Sequence, residues 1–276
     1  MRVDLVSLGL VASAAFAFAC TDPAANIDAP GPAIDGGQAA VDAPDGSGRV
    51  DGGPGAPDAA PVAGAPELAS HALAFNVFGQ PSPDPLRTSA RVVEAGSWVL
   101  VMVAKGTAAD IMAPSDSLGQ VYPQHGATRT YVNWPSSGNA LFVLPDLAAS
   151  PSYQVQESMA ADVFDECTLS MLEVRGATAV IDLAVAETPS VGPVTSGQVT
   201  TTGPALLVAY WWGDSVVAEQ TATPSAGFTV VHSLLVAQPI VQVAVAVKQV
   251  AAAGTYDVTW SATPNQGAIT WLVALQ

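Results

Sequence analysis

The sequence predicts an all-β protein, an antiparallel β-sandwich of jelly-roll type that follows a structureless N-terminal stretch. Beyond Glu67, short runs of Val, Leu, Ala, Thr and aromatic residues are separated by Gly, Pro, Ser and Asp, and helical periodicity is nearly absent. Between Val241 and Val247, valine at every second position alternates with Gln242, Ala244 and Ala246. Such alternation is typical of a strand with one face in a core.

Turn signals divide the region into fourteen short candidate strands, and so many short strands separated by turns indicate a sandwich or jelly roll. They are predicted at 73–78, 88–93, 98–104, 129–133, 140–144, 153–156, 168–174, 180–186, 198–202, 206–212, 228–231, 240–250, 255–262 and 269–275. The segments 98–104 and 205–210 are apolar on both faces. We therefore expect them to be central strands, covered on each side by other structure.

The chain begins with an apolar run that ends at a cysteine. The run from Leu5 to Ala19 is shorter than the roughly 20 residues that a membrane-spanning helix needs, so residues 1–19 are interpreted as an export signal. Ala17 and Ala19 flank Phe18 just before Cys20, and this pattern resembles the signal of bacterial lipoproteins. The resemblance implies a lipid on Cys20 and an outer-membrane or cell-surface location. The same residues also satisfy an A-x-A cleavage site, which would release the protein as a secreted one.

Residues 20–66 are predicted to form a disordered acidic tether. The stretch consists almost entirely of Ala, Asp, Gly and Pro and contains no aromatic residue. It cannot bury enough apolar surface to offset the entropy lost on ordering, and its prolines and like charges favour an extended chain. The folded domain is then expected at 67–276.

The formal net charge of −16 comes from a sparse set of charged residues, 12% of the chain. Binding of nucleic acid requires clustered Lys and Arg, and the two lysines, Lys105 and Lys248, lie far apart. Nucleic acid is therefore excluded as a partner. Membrane attachment is expected only through the lipid on Cys20.

The two halves of the domain share a pattern. A run at 141–155 resembles one at 243–258, each preceded by an aromatic and aliphatic strand and followed by a hydrophobic strand. We infer a diverged internal repeat, at 97–177 and 204–276, with an offset of roughly 100 residues. Similar strands joined by similar turns would give the same impression without duplication. The halves would form two small sandwiches or one large one, and the strand-like sequence at 181–202 favours one.

Three segments resemble a sandwich module of secreted bacterial proteins. They are D-S-L-G-Q-V-Y from Asp116, the run at 141–155, and A-G-T-Y-D-V-T-W from Ala253. Such modules are appended to carbohydrate-active and adhesion proteins. The resemblance implies a fold and export, and it carries no catalytic residues.

No catalytic motif appears. The chain lacks a G-x-S-x-G elbow, an H-E-x-x-H or C-x-x-C metal motif and a phosphate-binding glycine loop, so no cofactor is expected. The three histidines, His71, His125 and His232, lie in unrelated contexts. A secreted glycoside hydrolase would need only two carboxylates, for which Glu157 and Glu173 are the strand-borne candidates.

The candidates for a metal site are weak. The cluster of Asp162, Asp165 and Glu166, and the pair Asp110 and Asp116, offer oxygen ligands for calcium. Each also fits an ordinary turn in which Asp caps its own backbone, and we favour the turn. Cys167 lies in a strand-like run and is interpreted as a small buried hydrophobic residue.

Tryptophans give the best indication of binding. Trp211 and Trp212 are adjacent on a strand, so they point to opposite faces and only one is expected in the core. Trp134 lies in the loop-like segment N-W-P-S-S-G. An exposed tryptophan can stack on a sugar ring or anchor a protein partner. Trp134 and one of Trp211 or Trp212 are therefore expected to lie exposed together.

These observations favour a non-enzymatic lipoprotein that displays a β-sandwich for binding to an extracellular glycan or protein. The first alternative is a structural component of an envelope or surface assembly, which predicts a large exposed apolar patch. The second is the secreted hydrolase, which predicts two carboxylates that face each other across a cleft.

Overall fold

The computed structural model describes residues 61–189, 192–214, 221–235 and 240–276. The predictions for the signal, for lipidation of Cys20 and for the tether as far as residue 60 lie outside these residues. No helix within the described ranges is long and apolar enough to cross a bilayer.

The described residues up to Ala177 form ten strands and one turn of 3-10 helix at Ala108–Asp110. The strands are β1 Glu67–Asn76, β2 Leu86–Arg87, β3 Arg91–Val93, β4 Trp98–Lys105, β5 Ser115–Asp116, β6 Arg129–Thr130, β7 Gly138–Leu144, β8 Ser150–Tyr153, β9 Val155–Glu157 and β10 Cys167–Arg175. Five of them make a sheet in the order β1-β10-β4-β7-β6, and the others make the small sheets β2-β9-β5 and β3-β8.

The remaining described residues repeat this arrangement with ten more strands. They are β11 Val180–Thr188, β12 Val194–Thr195, β13 Val199–Thr201, β14 Ala205–Gly213, β15 Thr221–Pro224, β16 Thr229–Leu234, β17 Val243–Val250, β18 Gly254–Tyr256, β19 Thr259–Thr263 and β20 Ala268–Leu275. Their sheets have the orders β11-β20-β14-β17-β16, β12-β19-β15 and β13-β18. Every pairing is antiparallel, so the predicted all-β antiparallel sandwich is confirmed.

Each sheet of the second half thus reproduces one of the first, strand for strand. The repeat begins at β1 and β11, earlier than the predicted boundaries at residues 97 and 204. That the halves descend from a duplicated ancestor stays a prediction.

Three hydrophobic clusters lie between the sheets. In each half, one face of the large sheet packs on the small sheets: Val101 and Leu169 against Tyr153 in the first, Leu207 and Leu272 against Trp260 in the second. The opposite faces of the two large sheets share the third and largest cluster. The strands therefore stack in four layers.

The central strands β4 and β14 are apolar on both faces because each face packs in a different hydrophobic cluster. In β4, Val99, Val101 and Val103 belong to the first half's own core, whereas Leu100, Met102 and Ala104 belong to the shared core. Strand β14 divides its residues in the same way. As expected for strands covered on both sides, every residue of β14 is buried.

Candidate functional site

A cleft of about 230 Å³ opens where the two halves meet, at one end of the shared core. We call it the inter-half cleft. Residues of both halves line it, among them Tyr131, Trp134 and Glu166 from the first and Asp214, Ile240 and Val241 from the second. Ile240 and Val241 provide an apolar wall that continues into the shared core.

Trp134 lies at the edge of the cleft with 59% of its surface exposed. Its indole Nε1 donates to the backbone oxygen of Asp214 at 2.5 Å, and the neighbouring Asn133 Nδ2 donates to Asp214 Oδ2 at 2.9 Å. The backbone of the same loop is closed by Ser137 N, which donates to Trp134 O at 2.9 Å. The ring is therefore held against the second half while its surface stays open to solvent.

Each half contributes one carboxylate to the cleft, from the same end of the equivalent strand pairs β4–β10 and β14–β20. Gly106 follows β4 and pairs through its N–H with Glu166 O at 3.2 Å, just before β10; Asp214 follows β14 and pairs with Gly267 O at 3.0 Å, just before β20. In the first half the carboxylate residue, Glu166, precedes its strand, and in the second half the carboxylate residue, Asp214, follows its strand.

Glycine is required opposite each of these carboxylates. A Cβ on Gly106 would lie 2.4 Å from Asp165 Oδ1 and 2.9 Å from Glu166 Cγ, and a Cβ on Gly267 would lie 2.5 Å from Asp214 Oδ2 and 2.6 Å from Thr188 O. Neither distance is compatible with an unshifted side chain. The two glycines therefore leave room for the two carboxylates.

The cleft is electrostatically negative. Burial, with a smaller contribution from neighbouring Asp165, raises the pKa of Glu166 to about 7. Burial and the charges of Glu166, Asp214 and Glu187 also raise the pKa of Tyr131 well above its usual range, against a smaller lowering by the Asn139 side chain. The Tyr131 phenol thus lies within the field of three carboxylates.

The Tyr131 hydroxyl makes no hydrogen bond of good geometry within the described part of the chain, although the Asn139 side chain is close enough to lower its pKa. The residue is only 3% exposed. The nearby Asn139 uses its amide oxygen to accept from Trp271 Nε1 at 2.8 Å, and its amide nitrogen lies outside hydrogen-bonding geometry. A buried hydroxyl without a partner is unfavourable by about 1–3 kcal/mol, so its position beside a cleft calls for an explanation.

The expectation that Trp211 or Trp212 lies exposed with Trp134 is wrong. Both are fully buried, Trp211 in the second half's own core and Trp212 in the shared core. The adjacent residues do point to opposite faces of β14, but each face is covered by another layer. Of the three predicted tryptophans, only Trp134 presents a ring to solvent.

Glu157 and Glu173 do not form a catalytic pair. Glu157 is ion-paired with Lys105 at 2.8 Å, whereas Glu173 pairs in register with Val99. Lys105 and Val99 lie at opposite ends of β4, roughly 20 Å apart at 3.3 Å per residue, whereas a hydrolytic pair is about 5–10 Å apart. Glu173 instead accepts from Ser97 Oγ at 2.8 Å and from Ser70 Oγ at 2.7 Å. Both carboxylates have structural partners.

The acidic turns hold their own backbone. Asp116 Oδ1 accepts from the N–H groups of Leu118 and Gln120, both at 2.9 Å, and Asp162 Oδ1 accepts from Phe164 N at 2.8 Å. Asp165 Oδ2 accepts from Thr107 N at 3.0 Å.

Asp110 lies in the 3-10 turn, where its carbonyl accepts from Lys105 Nζ at 2.9 Å. Among the described residues, no three His, Cys, Asp or Glu side chains come together as a metal site would need.

Two histidines that the sequence left unrelated lie in contact between the halves. His71 Nδ1 and His232 Nε2 are 2.8 Å apart, and His232 Nδ1 lies 3.1 Å from Ser170 Oγ. His71 belongs to β1 and Ser170 to β10, whereas His232 belongs to β16 of the other half. Ser170 is completely buried, so its hydroxyl is closed to a substrate.

Burial is the main cause of the low pKa values in the histidine pair. It lowers the pKa of His71, with a smaller contribution from the charge of Arg91. It lowers the pKa of His232 to about 3, with smaller contributions from His71 and Arg91. No sequence signal identified this pair, because the two residues are brought together only by the packing of one half on the other.

Comparison with known proteins found no matching family model, no matching curated protein and no matching solved structure.

Proposed function

We propose that this chain is a non-enzymatic lipoprotein displayed on the cell surface, and that it binds an extracellular glycan in the inter-half cleft. The observation that carries the proposal is the Trp134 ring, which is exposed at the edge of a cleft and fixed by the hydrogen bond of its Nε1 to Asp214. A fixed, exposed aromatic ring is suited to stacking on the apolar face of a sugar, since little conformational freedom is lost on binding.

The size and lining of the cleft support this assignment. Its volume of about 230 Å³ is below the range typical of pockets for drug-sized ligands, so it suits a single ring better than a long chain. Glu166 and Asp214 provide acceptors for hydroxyl groups, beside the apolar wall of Ile240 and Val241. The combination of one aromatic ring with a few polar groups is that of a small polar ring-shaped ligand.

The surface location rests on the sequence. The export signal, Cys20 and the acidic tether together support an anchor that holds the folded part away from the membrane. Mass spectrometry of the mature N-terminus tests this part of the proposal. We expect a lipid-modified Cys20, and an unmodified cysteine or a different N-terminus would contradict it.

A glycan array screened with the full chain tests the binding function. We expect binding to a restricted set of glycans, and we expect Trp134→Ala to remove it. Phe78→Ala is the matched control, because Phe78 is likewise 59% exposed but does not line the cleft. Absence of binding to any glycan, or equal loss in both variants, would refute the proposal.

The second candidate function is glycoside hydrolysis, and one observation favours it. Two carboxylates, Glu166 and Asp214, line one cleft, and the pKa of Glu166 near 7 suits a general acid. The other carboxylate would then act as nucleophile or base. Hydrolysis of aryl glycosides by the wild type that is abolished in Glu166→Gln would establish this alternative in place of the first.

A further inference from the structure

We propose that the ligand of the inter-half cleft is a cationic amino sugar, whose ring lies against Trp134 and whose ammonium group is held between Glu166, Asp214 and the hydroxyl of Tyr131. This inference rests on the proposed function and names the class of sugar. Four properties of the cleft carry it.

The first is charge. Glu166 and Asp214 line the cleft, and Glu187 is close enough to act on the same phenol. Among the described lining residues none is basic. The adjoining segments 215–220 and 236–239 also contain no Lys, Arg or His in their sequence. A group of positive charge would find two or three carboxylates there and no basic side chain among the described lining residues.

The second is the Tyr131 hydroxyl, which is buried and, within the described residues, has the Asn139 side chain nearby but no hydrogen bond of good geometry. A phenol oxygen can accept a hydrogen bond, and an ammonium group has three donors and no acceptor. One donor each for Glu166, Asp214 and Tyr131 would satisfy the ammonium completely. The same contact would relieve the unfavourable burial of the phenol.

The third is the aromatic lining. Trp134 and Tyr131 both line the cleft, and an ammonium group close to an aromatic face is attracted by the negative face of the ring. Tryptophan is the strongest partner for such a contact. A neutral sugar would use the tryptophan only for stacking, whereas an amino sugar would use it for stacking and for charge.

The fourth is the state of Glu166 in the free protein. Its carboxylate makes no hydrogen bond or ion pair within the described residues, and burial raises its pKa. A bound ammonium would supply the missing partner and favour the ionised carboxylate. A divalent metal fits less well, because it prefers six or more oxygen ligands and the described residues bring no three acidic or histidine side chains together.

Isothermal titration of the full chain at pH 7 with three probes tests the proposal. Glucosamine carries the ammonium on a sugar, N-acetylglucosamine carries the same sugar with the charge removed, and propylamine carries an ammonium without a sugar. We expect glucosamine to bind about tenfold more tightly than N-acetylglucosamine, the factor expected of a cation–π contact reinforced by carboxylates. We expect propylamine to bind more weakly than glucosamine.

Two variants locate the effect. Glu166→Gln should weaken glucosamine about tenfold and change N-acetylglucosamine by less than twofold, since only the charge is removed. Tyr131→Phe should also weaken glucosamine more than N-acetylglucosamine. Glu67→Gln is the control, because Glu67 is an exposed carboxylate away from the cleft, and it should change neither affinity.

The outcomes separate this inference from the proposed function. Equal affinity for glucosamine and N-acetylglucosamine would overturn the inference and leave glycan binding intact. Equal affinity for propylamine and glucosamine would overturn both, because the sugar ring would then contribute nothing. If none of the three probes binds while the glycan array is positive, the inference fails and the proposed function stands.

Discussion

The contact between His71 and His232 predicts that the protein loses stability in mild acid. The two ring nitrogens are 2.8 Å apart, so a single proton lies between them, either on His71 Nδ1 or on His232 Nε2. In the first arrangement His232 donates to Ser170 Oγ, and in the second Ser170 donates to His232. Both arrangements keep both rings neutral. A proton added to His232 places a charge in a site that is 7% exposed and close to Arg91, which is unfavourable.

The size of the effect follows from the pKa values. His232 has a pKa of about 3 in the folded protein and 6.5 when exposed. Between pH 3 and pH 6.5 the unfolded chain therefore binds a proton at His232 and the folded protein does not. Stability is therefore unaffected above pH 7 and falls as the pH drops below 6.5. By linkage, the free energy of unfolding decreases by about 2 kcal/mol between pH 8 and pH 5 through His232 alone. His71, whose pKa is also lowered, adds in the same direction.

Urea unfolding of the wild type and of His232→Gln at pH 8 and pH 5 measures this effect. The variant is expected to be less stable at pH 8, but its loss between the two pH values should be smaller than that of the wild type by about 2 kcal/mol. Carboxylates titrate in both proteins and cancel in the comparison. His125→Gln, in a loop outside the pair, should keep the wild-type difference. Equal losses in wild type and His232→Gln would refute the reasoning.

Three further predictions concern single groups. Lys105→Met should destabilise the protein by about 3–5 kcal/mol in urea unfolding, because it leaves the carboxylate of Glu157 buried without its cation. The double variant Lys105→Met/Glu157→Leu should recover most of this loss, and an equally unstable double variant would contradict the prediction. The Glu166 carboxyl should titrate near pH 7 in carbon-13 NMR of the free protein, and its pKa should be lower in Asp165→Asn. Titration near the ordinary pKa of a glutamate would show that the carboxyl is not buried. Cys167, whose thiol is completely buried with a raised pKa, should not react with a thiol reagent until the protein unfolds, and rapid labelling of the native protein would contradict this placement.

Most strands were predictable because they alternate or are apolar throughout. The candidates at 98–104, 168–174, 206–212 and 269–275 correspond to β4, β10, β14 and β20, with shifts of a residue or two at the ends. The missed strands β2, β5, β12 and β15 are two to four residues long. Such segments carry too little pattern to be distinguished from turns, and they are strands only because a neighbour supplies hydrogen bonds.

The candidate site was only partly predictable. Trp134 was identified because a tryptophan in a loop with proline and glycine has no core to enter. Glu166 was noted among turn residues, and Asp214 was not noted at all. The signal that would have found them is the repeat: Glu166 and Asp214 stand beside the equivalent strand pairs β4–β10 and β14–β20, facing Gly106 and Gly267. Without the strand register, these positions could not be aligned.

The sequence by itself determined the fold class, the central strands and the burial of Cys167, because these depend on local alternation and on how many apolar residues a segment contains. Only the tertiary structure decided what covers each face. Trp211 and Trp212 are both buried since a third core lies between the two large sheets, and that same packing joins His71 to His232 and forms the inter-half cleft. Contacts between residues far apart in the chain arise from how whole layers stack, and no local pattern in the sequence records them.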